Sequence, residues 1–407
     1  MDKPTKDILL ITNYYHFEEE KGSSRYRTLA EMIAKEENIS LELVTSSFYH
    51  QTKEQRSQEM RTDMLPFKVT LCYEDGYSKN ISFQRLKSCR TFAKSVLAYL
   101  EQRKKPDLIY QVVPSLDVAD AVTAYAEKND IPLIVDIQDL WPEAFRMAMD
   151  IPLLSDIAFL PMKRKADRVY GRADQIVAVS ETYVARAMDA NKKCNRGLSV
   201  YIGTDEAYAA SAMKDWSVEK PENEFWVTYV GALGHSYDID LIAEAISILK
   251  GKGIGNIVFQ VFGDGVSRKQ FEATAQKLQI DARFHGFVEY GKMMAMLTAS
   301  DVAVNPIVGK SVSSIINKVA DYAVAGIPVV NTQNSEEYRN LLEEYQCGIN
   351  CESGNAHSVA EAIERLYYDI LLKEYMRAKA KKLGKERFNR QDTYGAVVNL
   401  IQKMLKE

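Results

Sequence analysis

The sequence predicts an α/β protein with two doubly wound domains, each a parallel sheet flanked by helices. Short apolar runs alternate with helical patterns from the start of the chain, which indicates βαβ units. The alternation stops in a poorly periodic stretch, 205–224, and begins again at 225. The length of 407 residues also favours two or three domains, each large enough to bury its own core.

The predicted strands are short apolar runs bounded by polar or glycine-containing segments. In the first half they are ILLIT (8–12), LELVT (41–45), DLIYQVV (107–113), PLIVDI (132–137), QIVAVS (175–180) and LSVYIG (198–203). In the second half they are FWVTYVG (225–231), NIVFQVFG (256–263), ARFHGF (282–287), DVAVNP (301–306) and IPVVN (327–331). Sheets of this kind bind ligands beyond the carboxyl ends of their strands, so we expect the two domains to face each other across a cleft.

Two segments are predicted to depart from this alternation. Residues 46–80 are polar, aromatic-rich and poorly periodic, which predicts a long excursion from the sheet. From about residue 356 onward the chain shows helical patterns only.

Composition excludes several classes of protein. The formal net charge of -4 gives no overall attraction to nucleic acid. The five cysteines are scattered and predict a reduced, intracellular chain without a zinc site. The first apolar run is too short for a signal peptide, and no apolar stretch approaches the roughly 20 residues that span a bilayer. We therefore expect a cytoplasmic protein.

The segment 311–330, SVSSIINKVADYAVAGIPVV, carries the strongest functional signal. Ser313 or Ser314 is predicted to start a helix whose free amides point toward a phosphate group. Lys318 would neutralise the charge that develops on a leaving phosphate. Asp321 lies on nearly the same helix face and is predicted to accept hydrogen bonds from ribose hydroxyls. The segment thus suits a nucleotide sugar; a solvated Lys/Asp pair is the alternative.

A glycine-bearing loop after the first strand provides a second candidate site. Gly22 precedes a helix start, where backbone amides favour anions, and Arg25 and Arg27 are nearby cations. A structural turn with a serine cap is the alternative interpretation.

Two further glycine-bearing loops follow strands of the second half. Gly231, Gly234 and His235 follow one strand, and His235 is either a phosphate ligand or an exposed loop residue. Gly263 and Asp264 follow the next, where they either line a nucleotide base or form a structural turn.

The segment DIQDLWPEA, 136–144, is a candidate sugar site in the first half. Asp139 and Glu143 lie beside Trp141 at the end of a predicted strand. An aromatic ring packs on the C–H face of a sugar while carboxylates accept hydrogen bonds from its hydroxyls. A tryptophan that anchors the following helix is the alternative.

A basic helical pattern at 159–172 is a candidate membrane contact. Its cations would suit an anionic membrane surface, and a solvated charged face is the alternative. They are Lys163, Arg164, Lys165, Arg168 and Arg172.

The chain resembles the family 4 retaining glycosyltransferases, which have the two-domain GT-B fold. The motifs that carry the resemblance are DIQDLWPEA (136–144), AVSE (178–181), YIGTD (201–205), YVGALG (229–234), VFGDG (261–265), HGFVEY (285–290), SDVAVNP (300–306) and NKVADYAVAGIPVV (317–330). The Asp-Leu-Trp-Pro and Lys-x-x-acid-Tyr features look most like the bacterial subgroup that builds O-antigen, capsule and exopolysaccharide. Members there use mainly UDP-activated sugars.

The resemblance implies an acceptor-binding domain at 1–204 plus 389–407, with the last helix crossing back, and a donor-binding domain at 205–388. It implies metal-independent transfer, with same-face attack assisted by the leaving phosphate. The acceptor is a sugar or a polyprenyl-diphosphate-linked sugar near Asp139, and the enzyme is expected in the cytoplasm, with contact at the inner face of the plasma membrane.

Three features of the family pattern are altered, at five positions. The family's E-x7-E pattern falls on Ser313 and Asp321, and its usual Arg and Lys fall on Ala232 and Tyr237. The hinge asparagine is replaced by Ile202. Lys318 therefore carries more of the phosphate chemistry than in the family.

Two alternative functions remain open at this point. One is a nucleotide-sugar 2-epimerase or hydrolase on the same fold, which would need acidic and histidine residues around the sugar. The other is a catalytically degenerate nucleotide-sugar binder, which the departures at Ser313 and Ala232 favour.

Overall fold

The computed structural model describes residues 5–20, 24–57, 62–80, 82–143, 154–308 and 315–406. It divides into two compact units. The first is Met1–Tyr201 with Tyr394–Glu407, and the second is Ile202–Thr393. The divisions lie close to the predicted positions 204/205 and 388/389.

The first unit contains a parallel sheet of seven strands among its described residues, in the order β5-β2-β1-β6-β7-β8-β9. The central pairings set Ile8 opposite Leu41 on one side and Leu108 on the other. A separate antiparallel pair, β3 with β4, follows β2. The strands are β1 (Lys6–Thr12), β2 (Ile39–Ser46), β3 (Phe48–Tyr49), β4 (Glu54–Gln55), β5 (Lys68–Cys72), β6 (Leu108–Val113), β7 (Leu133–Ile137), β8 (Gln175–Ala178) and β9 (Leu198–Ser199).

Helices of the first unit connect these parallel strands, as βαβ units require. Serine side chains cap the N-termini of two of these helices. Ser82 accepts a hydrogen bond from the Arg85 amide, and Ser180 accepts one from the Tyr183 amide. The helices before the second unit are α1 (Arg25–Ala34), α2 (Phe83–Gln102), α3 (Leu116–Lys128), α4 (Leu154–Arg172) and α5 (Glu181–Ala190).

Within its described residues, the second unit contains a six-stranded parallel sheet in the order β12-β11-β10-β13-β14-β15. Its strands are β10 (Phe225–Val230), β11 (Ile257–Phe262), β12 (Asp281–Gly286), β13 (Val302–Asn305), β14 (Val329–Asn331) and β15 (Gly348–Asn350). Its helices are α6 (Glu206–Met213), α7 (Ile239–Gly251), α8 (Arg268–Lys277), α9 (Tyr290–Ala299), α10 (Lys318–Ala325), α11 (Glu336–Tyr345), α12 (Ala356–Tyr368), α13 (Ile370–Leu383) and α14 (Arg390–Thr393), with a π-helical turn at Gly384–Phe388.

Each unit has its own apolar core. In the second unit Val227 and Phe259 from adjacent strands pack with Ile242 and Ile363 from helices. In the first unit the core includes Ile8 and Tyr110. Burial of such side chains on parallel strands explains why their sequences are continuous apolar runs.

The last helix, α15 (Gly395–Met404), belongs to the first unit although it follows the second in sequence. Val397 and Ile401 are fully buried in the same core as Leu10. The predicted return of the chain to the first domain is therefore confirmed.

The prediction that 46–80 is only an excursion is wrong in part. Lys68–Cys72 pairs with β2 as an edge strand of the sheet. Its residues are mostly half-exposed or exposed, so the strand lacks the apolar run that marks the central strands. The antiparallel β3–β4 pair fills part of the remainder.

No helix in the described ranges is long and apolar enough to cross a membrane.

Candidate active site

Lys318, in the second unit, is a buried cation at the first position of α10. Its side chain is 8% exposed, and its Nζ has no hydrogen-bond partner among the described residues. Nζ lies 4.0 Å from the ring centroid of Tyr229 and 3.9 Å from that of Tyr237. The electron-rich faces of the two rings stabilise the ammonium by cation–π attraction.

Burial lowers the pKa of Lys318 well below its ordinary value. The two rings offset only part of the cost of removing the ammonium from water, because no carboxylate pairs with it among the described residues. A strongly shifted, unpaired lysine marks a candidate functional site. The arrangement suits a lysine that gains an anionic partner only when a ligand binds.

Asp321 lies one turn beyond Lys318 on α10 and is half-buried. Its Oδ1 accepts hydrogen bonds from Thr204 Oγ1 at 2.6 Å and from the Tyr290 hydroxyl at 2.9 Å. Burial raises the pKa of Asp321, and these two donors oppose the rise. The alternative of a solvated Lys/Asp ion pair therefore does not describe this site.

The helix start differs from the prediction. Asn317 occupies the N-cap position of α10, and residues 315 and 316 are not helical. Two successive β-branched isoleucines disfavour a helix at 315–316. Ser313, Ser314 and the loop residue Gly22 lie outside the described residues.

Gly231 brings backbone close to the lysine. Its φ of 145° is a value that residues with a side chain rarely adopt, and an added Cβ would lie 3.1 Å from Lys318 Nζ. Gly263, with φ of 116°, sits against it: an added Cβ would lie 2.0 Å from the Gly231 carbonyl oxygen. The two glycine loops therefore pack backbone to backbone, with Gly231 beside Lys318.

The other predicted donor residues have local roles. His235 Nδ1 lies 3.4 Å from Ser267 Oγ. Asp264 accepts from the Gly265 amide at 2.7 Å and from Arg268 at 3.2 Å, which favours a structural turn. An added Cβ at Gly234 would meet no atom within 4 Å, so this part of the loop is open.

In the first unit, Asp139 and Trp141 are joined directly. Trp141 Nε1 donates to Asp139 Oδ2 at 3.2 Å, and burial raises the pKa of Asp139. Trp141 is only 5% exposed, and the guanidinium of Arg85 lies 4.8 Å from its ring centroid. The tryptophan is therefore an anchor for this loop, which corrects its prediction as an open platform for a sugar.

Glu143 is held by an arginine. Its Oε1 accepts from Arg186 Nε at 2.5 Å, and Arg186 also bonds Asp167 at 2.8 Å. The second oxygen of Glu143 is buried and has no partner among the described residues. This oxygen is the part of Glu143 that retains capacity for a ligand.

The cations expected beside Gly22 are engaged elsewhere. Arg25 and Asp136 form a fully buried ion pair at 3.1 Å, and Tyr110 donates to the same carboxylate at 2.8 Å. Arg27 bonds Glu31 at 3.1 Å. Arg25 therefore stabilises the core, which corrects its interpretation as a phosphate ligand.

The basic helix is largely neutralised within the first unit. Lys165 pairs with Asp117 at 2.5 Å, and Arg168 and Arg172 both pair with Asp120, at 2.9 and 2.8 Å. The net positive charge of the predicted face is therefore smaller than five cations would give, because Asp117 and Asp120 of α3 form ion pairs with three of them. Lys163 and Arg164 remain exposed.

Within the described residues, no group of three or more His, Cys, Asp or Glu side chains could hold a metal ion.

Comparison with known proteins decides the class of the second unit. Residues 212–383 match the family model described as Glycosyl transferases group 1. The second unit is a glycosyltransferase domain. The predicted enzyme class is confirmed, since this match contains the glycine loops and α10 with Lys318. No curated protein matches the chain in sequence.

Solved structures show the fold of the whole glycosyltransferase chain. It is similar to Anabaena HepE in complex with UDP, with a TM-score of 0.68, 13% identity and coverage of 98% of this chain and 100% of that one. It is similar to sucrose-phosphate synthase from Thermosynechococcus elongatus, with a TM-score of 0.70, 14% identity and coverage of 98% and 99%. It is also similar to WaaG, a glycosyltransferase involved in lipopolysaccharide biosynthesis, with a TM-score of 0.62, 13% identity and coverage of 97% and 99%. The predicted GT-B fold of two Rossmann-like domains is confirmed.

Several residues around the candidate site of this glycosyltransferase were beyond sequence reasoning. Tyr229 and Tyr237 enclose Lys318, and Thr204 and Tyr290 hold Asp321, yet all four come from other elements of the unit. The sequence signalled only one of these four residues: Tyr237 stands where the resemblance places a family cation.

Proposed function

We propose that the protein is a retaining glycosyltransferase whose donor is a nucleotide sugar, with UDP as the nucleotide. The observation that carries this proposal is the unpaired, buried ammonium of Lys318 beside the glycine loop at Gly231. Such a site offers a charge and an open backbone to a diphosphate. The likeness to HepE, which was solved with UDP, supports the choice of nucleotide.

In this proposal Lys318 stabilises the leaving diphosphate. Negative charge grows on the phosphate oxygen as the bond to the sugar breaks, and a fixed cation in a dry site lowers the energy of that state. An anion at Nζ would also favour the protonated lysine, because an opposite charge raises a lysine pKa. The site therefore becomes fully charged when the donor arrives.

Asp321 would bind the ribose hydroxyls. Its carboxylate already accepts two hydrogen bonds from Thr204 and Tyr290, and a carboxylate has capacity for about four. The two donors hold the carboxylate in a fixed orientation, which favours recognition of a ligand hydroxyl. Gly263 and Asp264 would lie near the base and Gly234 and His235 near the phosphates, as predicted from the sequence. The donor-binding roles predicted for Ser313, Ser314 and Gly22 fall outside the described residues.

Transfer would not require a metal ion. Lys318 supplies the positive charge that a divalent cation would otherwise provide to the diphosphate. Attack of the acceptor hydroxyl on the same face, with the leaving phosphate accepting its proton, needs no protein nucleophile.

The acceptor would bind the first unit, at the carboxyl end of β7 beside Asp139 and Glu143. The pKa of Asp139 is raised by burial, and its orientation is set by Trp141 Nε1. A sugar or a polyprenyl-diphosphate-linked sugar is the proposed acceptor, in the synthesis of a bacterial surface polysaccharide. The likeness to WaaG, involved in lipopolysaccharide biosynthesis, supports this role.

A donor panel tests the proposal. The purified protein is incubated with UDP- and GDP-sugars, with and without a polyprenyl-diphosphate sugar, and with or without EDTA. We expect acceptor-dependent release of UDP, an unchanged anomeric configuration in the product, and no effect of EDTA. Release or epimerisation without acceptor would contradict transfer, and nucleotide binding without any turnover would indicate a degenerate binder.

The enzyme would act in the cytoplasm at the inner face of the plasma membrane. Lys163 and Arg164 are the exposed cations of α4 that would meet anionic lipid. Flotation with anionic liposomes should weaken when both become glutamine, but not when the paired Arg168 and Arg172 do. Equal flotation of all variants would contradict this contact.

A further inference from the structure

Arg85, in the first turn of α2, is a second cation of the chain without an acidic partner. Among the described residues no carboxylate lies within 4 Å of its guanidinium, and its Nε is buried with no hydrogen-bond partner. Its other nitrogens donate to the Tyr14 hydroxyl and the Asn80 carbonyl, both at 2.8 Å. Because both acceptors are neutral, the guanidinium has no ion-pair partner among the described residues, and its Nε–H has no hydrogen-bond acceptor there.

Aromatic rings hold this guanidinium in place. Its carbon lies 4.8 Å from the ring centroid of Trp141 and 5.5 Å from that of Tyr77. Both rings belong to buried residues. An arginine held in this way presents a planar set of N–H donors with little loss of freedom on binding, which suits a carboxylate or a phosphate.

Two more basic side chains meet Tyr77 from the β3–β4 region. Lys53 Nζ lies 5.0 Å from the Tyr77 ring centroid, and His50 Nδ1 hydrogen-bonds the Tyr77 hydroxyl. Burial, followed by the charges of Lys53 and Arg85, lowers the pKa of His50 to about 4. Burial raises the pKa of the carboxyls Glu74 and Asp139 and the charge of Arg85 acts to lower it, yet neither carboxylate forms an ion pair with Arg85 among the described residues.

The nearby buried carboxylates are engaged by other donors. Glu74 accepts from Ser88 Oγ at 2.7 Å. Asp139 accepts from Trp141 Nε1, on the residue whose ring faces Arg85. The cluster of Arg85, Lys53 and His50 thus adjoins Asp139, the predicted acceptor residue, within the same unit.

We propose that Arg85, assisted by Lys53, binds an anionic group, a phosphate or a carboxylate, carried by the acceptor. This inference rests on the proposed function, because it takes the first unit to bind the acceptor. It narrows the acceptor class to charged molecules: a lipid-linked sugar with its phosphate close to the reacting hydroxyl, or an acidic sugar. A neutral glycan offers hydroxyl oxygens to Arg85 but no negative charge, so it would bind more weakly.

A binding experiment separates the two sources of the anion. The full-length protein is first saturated with UDP, so that the donor site is filled, and is then titrated calorimetrically with citronellyl diphosphate, inorganic phosphate, methyl glucuronoside and neutral methyl glucoside. We expect an anionic probe to bind and Arg85→Gln to weaken it at least about tenfold, as the loss of a charged hydrogen bond predicts. Arg90→Gln, at an exposed position on the same helix, is the matched control and should bind as the wild type does.

Each outcome has a defined meaning. Binding of the diphosphate alone identifies a lipid-linked phosphate, and binding of the glucuronoside alone identifies an acidic sugar. Binding of none of the anions, or equal binding by Arg85→Gln and wild type, would overturn the proposal. Failure of UDP to bind would instead contradict the proposed function, and the anion titrations can still be carried out without it.

Transfer kinetics and a second variant distinguish loss of acceptor binding from a general disturbance of the fold. In transfer assays Arg85→Gln should raise KM for a charged acceptor and leave kcat near the wild-type value, with little change for a neutral analogue. Lys53→Ala, away from the Trp141 contact, should raise the same KM by a smaller factor. If both variants impair charged and neutral acceptors equally, Arg85 only maintains the fold and the proposal is wrong.

Discussion

The ammonium of Lys318 lies 3.9 Å from the centre of the Tyr237 ring. The resemblance noted in the sequence would place a family cation at this position. A second cation there would repel Lys318, whereas an aromatic face attracts it. Tyr237 therefore provides the positive charge of Lys318 with a neutral support.

Replacement of Tyr237 by leucine should therefore weaken UDP binding. Loss of one cation–π contact in a desolvated site removes about 1–2 kcal/mol from the charged lysine, which corresponds to roughly a 5- to 30-fold rise in Kd. Tyr237→Phe keeps the ring and is the matched control. Calorimetric titration with UDP measures both variants, and equal affinities for Leu and Phe would show that the ring does not support the lysine.

Replacement of Lys318 by methionine should abolish transfer yet stabilise the fold. The pKa of Lys318 is lowered from 10.5, so below the folded-state pKa the buried charge destabilises the native protein fully. Above that pKa the folded state loses the proton while the unfolded chain keeps it, so native stability rises with pH toward 10.5. The stability gained by Lys318→Met should therefore be largest at and below the folded-state pKa, and it should shrink as the pH rises from there toward 10.5.

Urea unfolding of wild type and Lys318→Met at several pH values measures this difference. A gain that does not vary with pH would mean that Lys318 keeps an ordinary pKa.

Replacement of Thr204 by valine should destabilise the second unit. Thr204 is 8% exposed, and its hydroxyl is one of two donors to Asp321, so its loss leaves a partly unsatisfied carboxylate at a cost of about 1–3 kcal/mol. Thr204→Ser retains the donor and should cost less. Urea unfolding provides the comparison, and the difference should vanish in an Asp321→Asn background if the carboxylate is the partner that matters.

Replacement of Asp136 by asparagine should strongly destabilise the first unit. The charge of Arg25 would then be buried without its partner, at a cost of about 3–5 kcal/mol. Exchange of both residues, Arg25→Met with Asp136→Leu, removes both charges and should cost less. Asp107→Asn, which breaks the exposed pair with Lys6, is the control and should cost less than about 1 kcal/mol. Equal losses for the buried and exposed pairs would contradict this account.

Much of the fold follows from local sequence. The run at 225–231 matches β10, Phe225–Val230, because a central parallel strand is apolar on both faces. The edge strands β5 and β15 were not predicted, because most of their residues are partly exposed and they lack the fully buried run of a central strand. Pairing with a neighbouring strand, and not hydrophobicity, defines them.

The candidate site was predictable only within single elements. Lys318 and Asp321 share one helix, so their spacing is visible in the sequence. Their ring and hydroxyl partners are brought to them by tertiary packing, which no local pattern encodes. For Arg25 the local sequence was misleading. Its proximity to Gly22 in the sequence suggested a contact with a ligand, whereas the fold pairs it with Asp136.

The position of α15 has a consequence for biosynthesis. The core of the first unit needs Tyr394, Val397 and Ile401, which leave the ribosome only after the entire second unit. The second unit is continuous in sequence and can complete its core earlier, since domains generally fold as units during synthesis. Of the two units, the one that is translated first is therefore the one that finishes folding last, and its hydrophobic core stays incomplete until α15 has been synthesised.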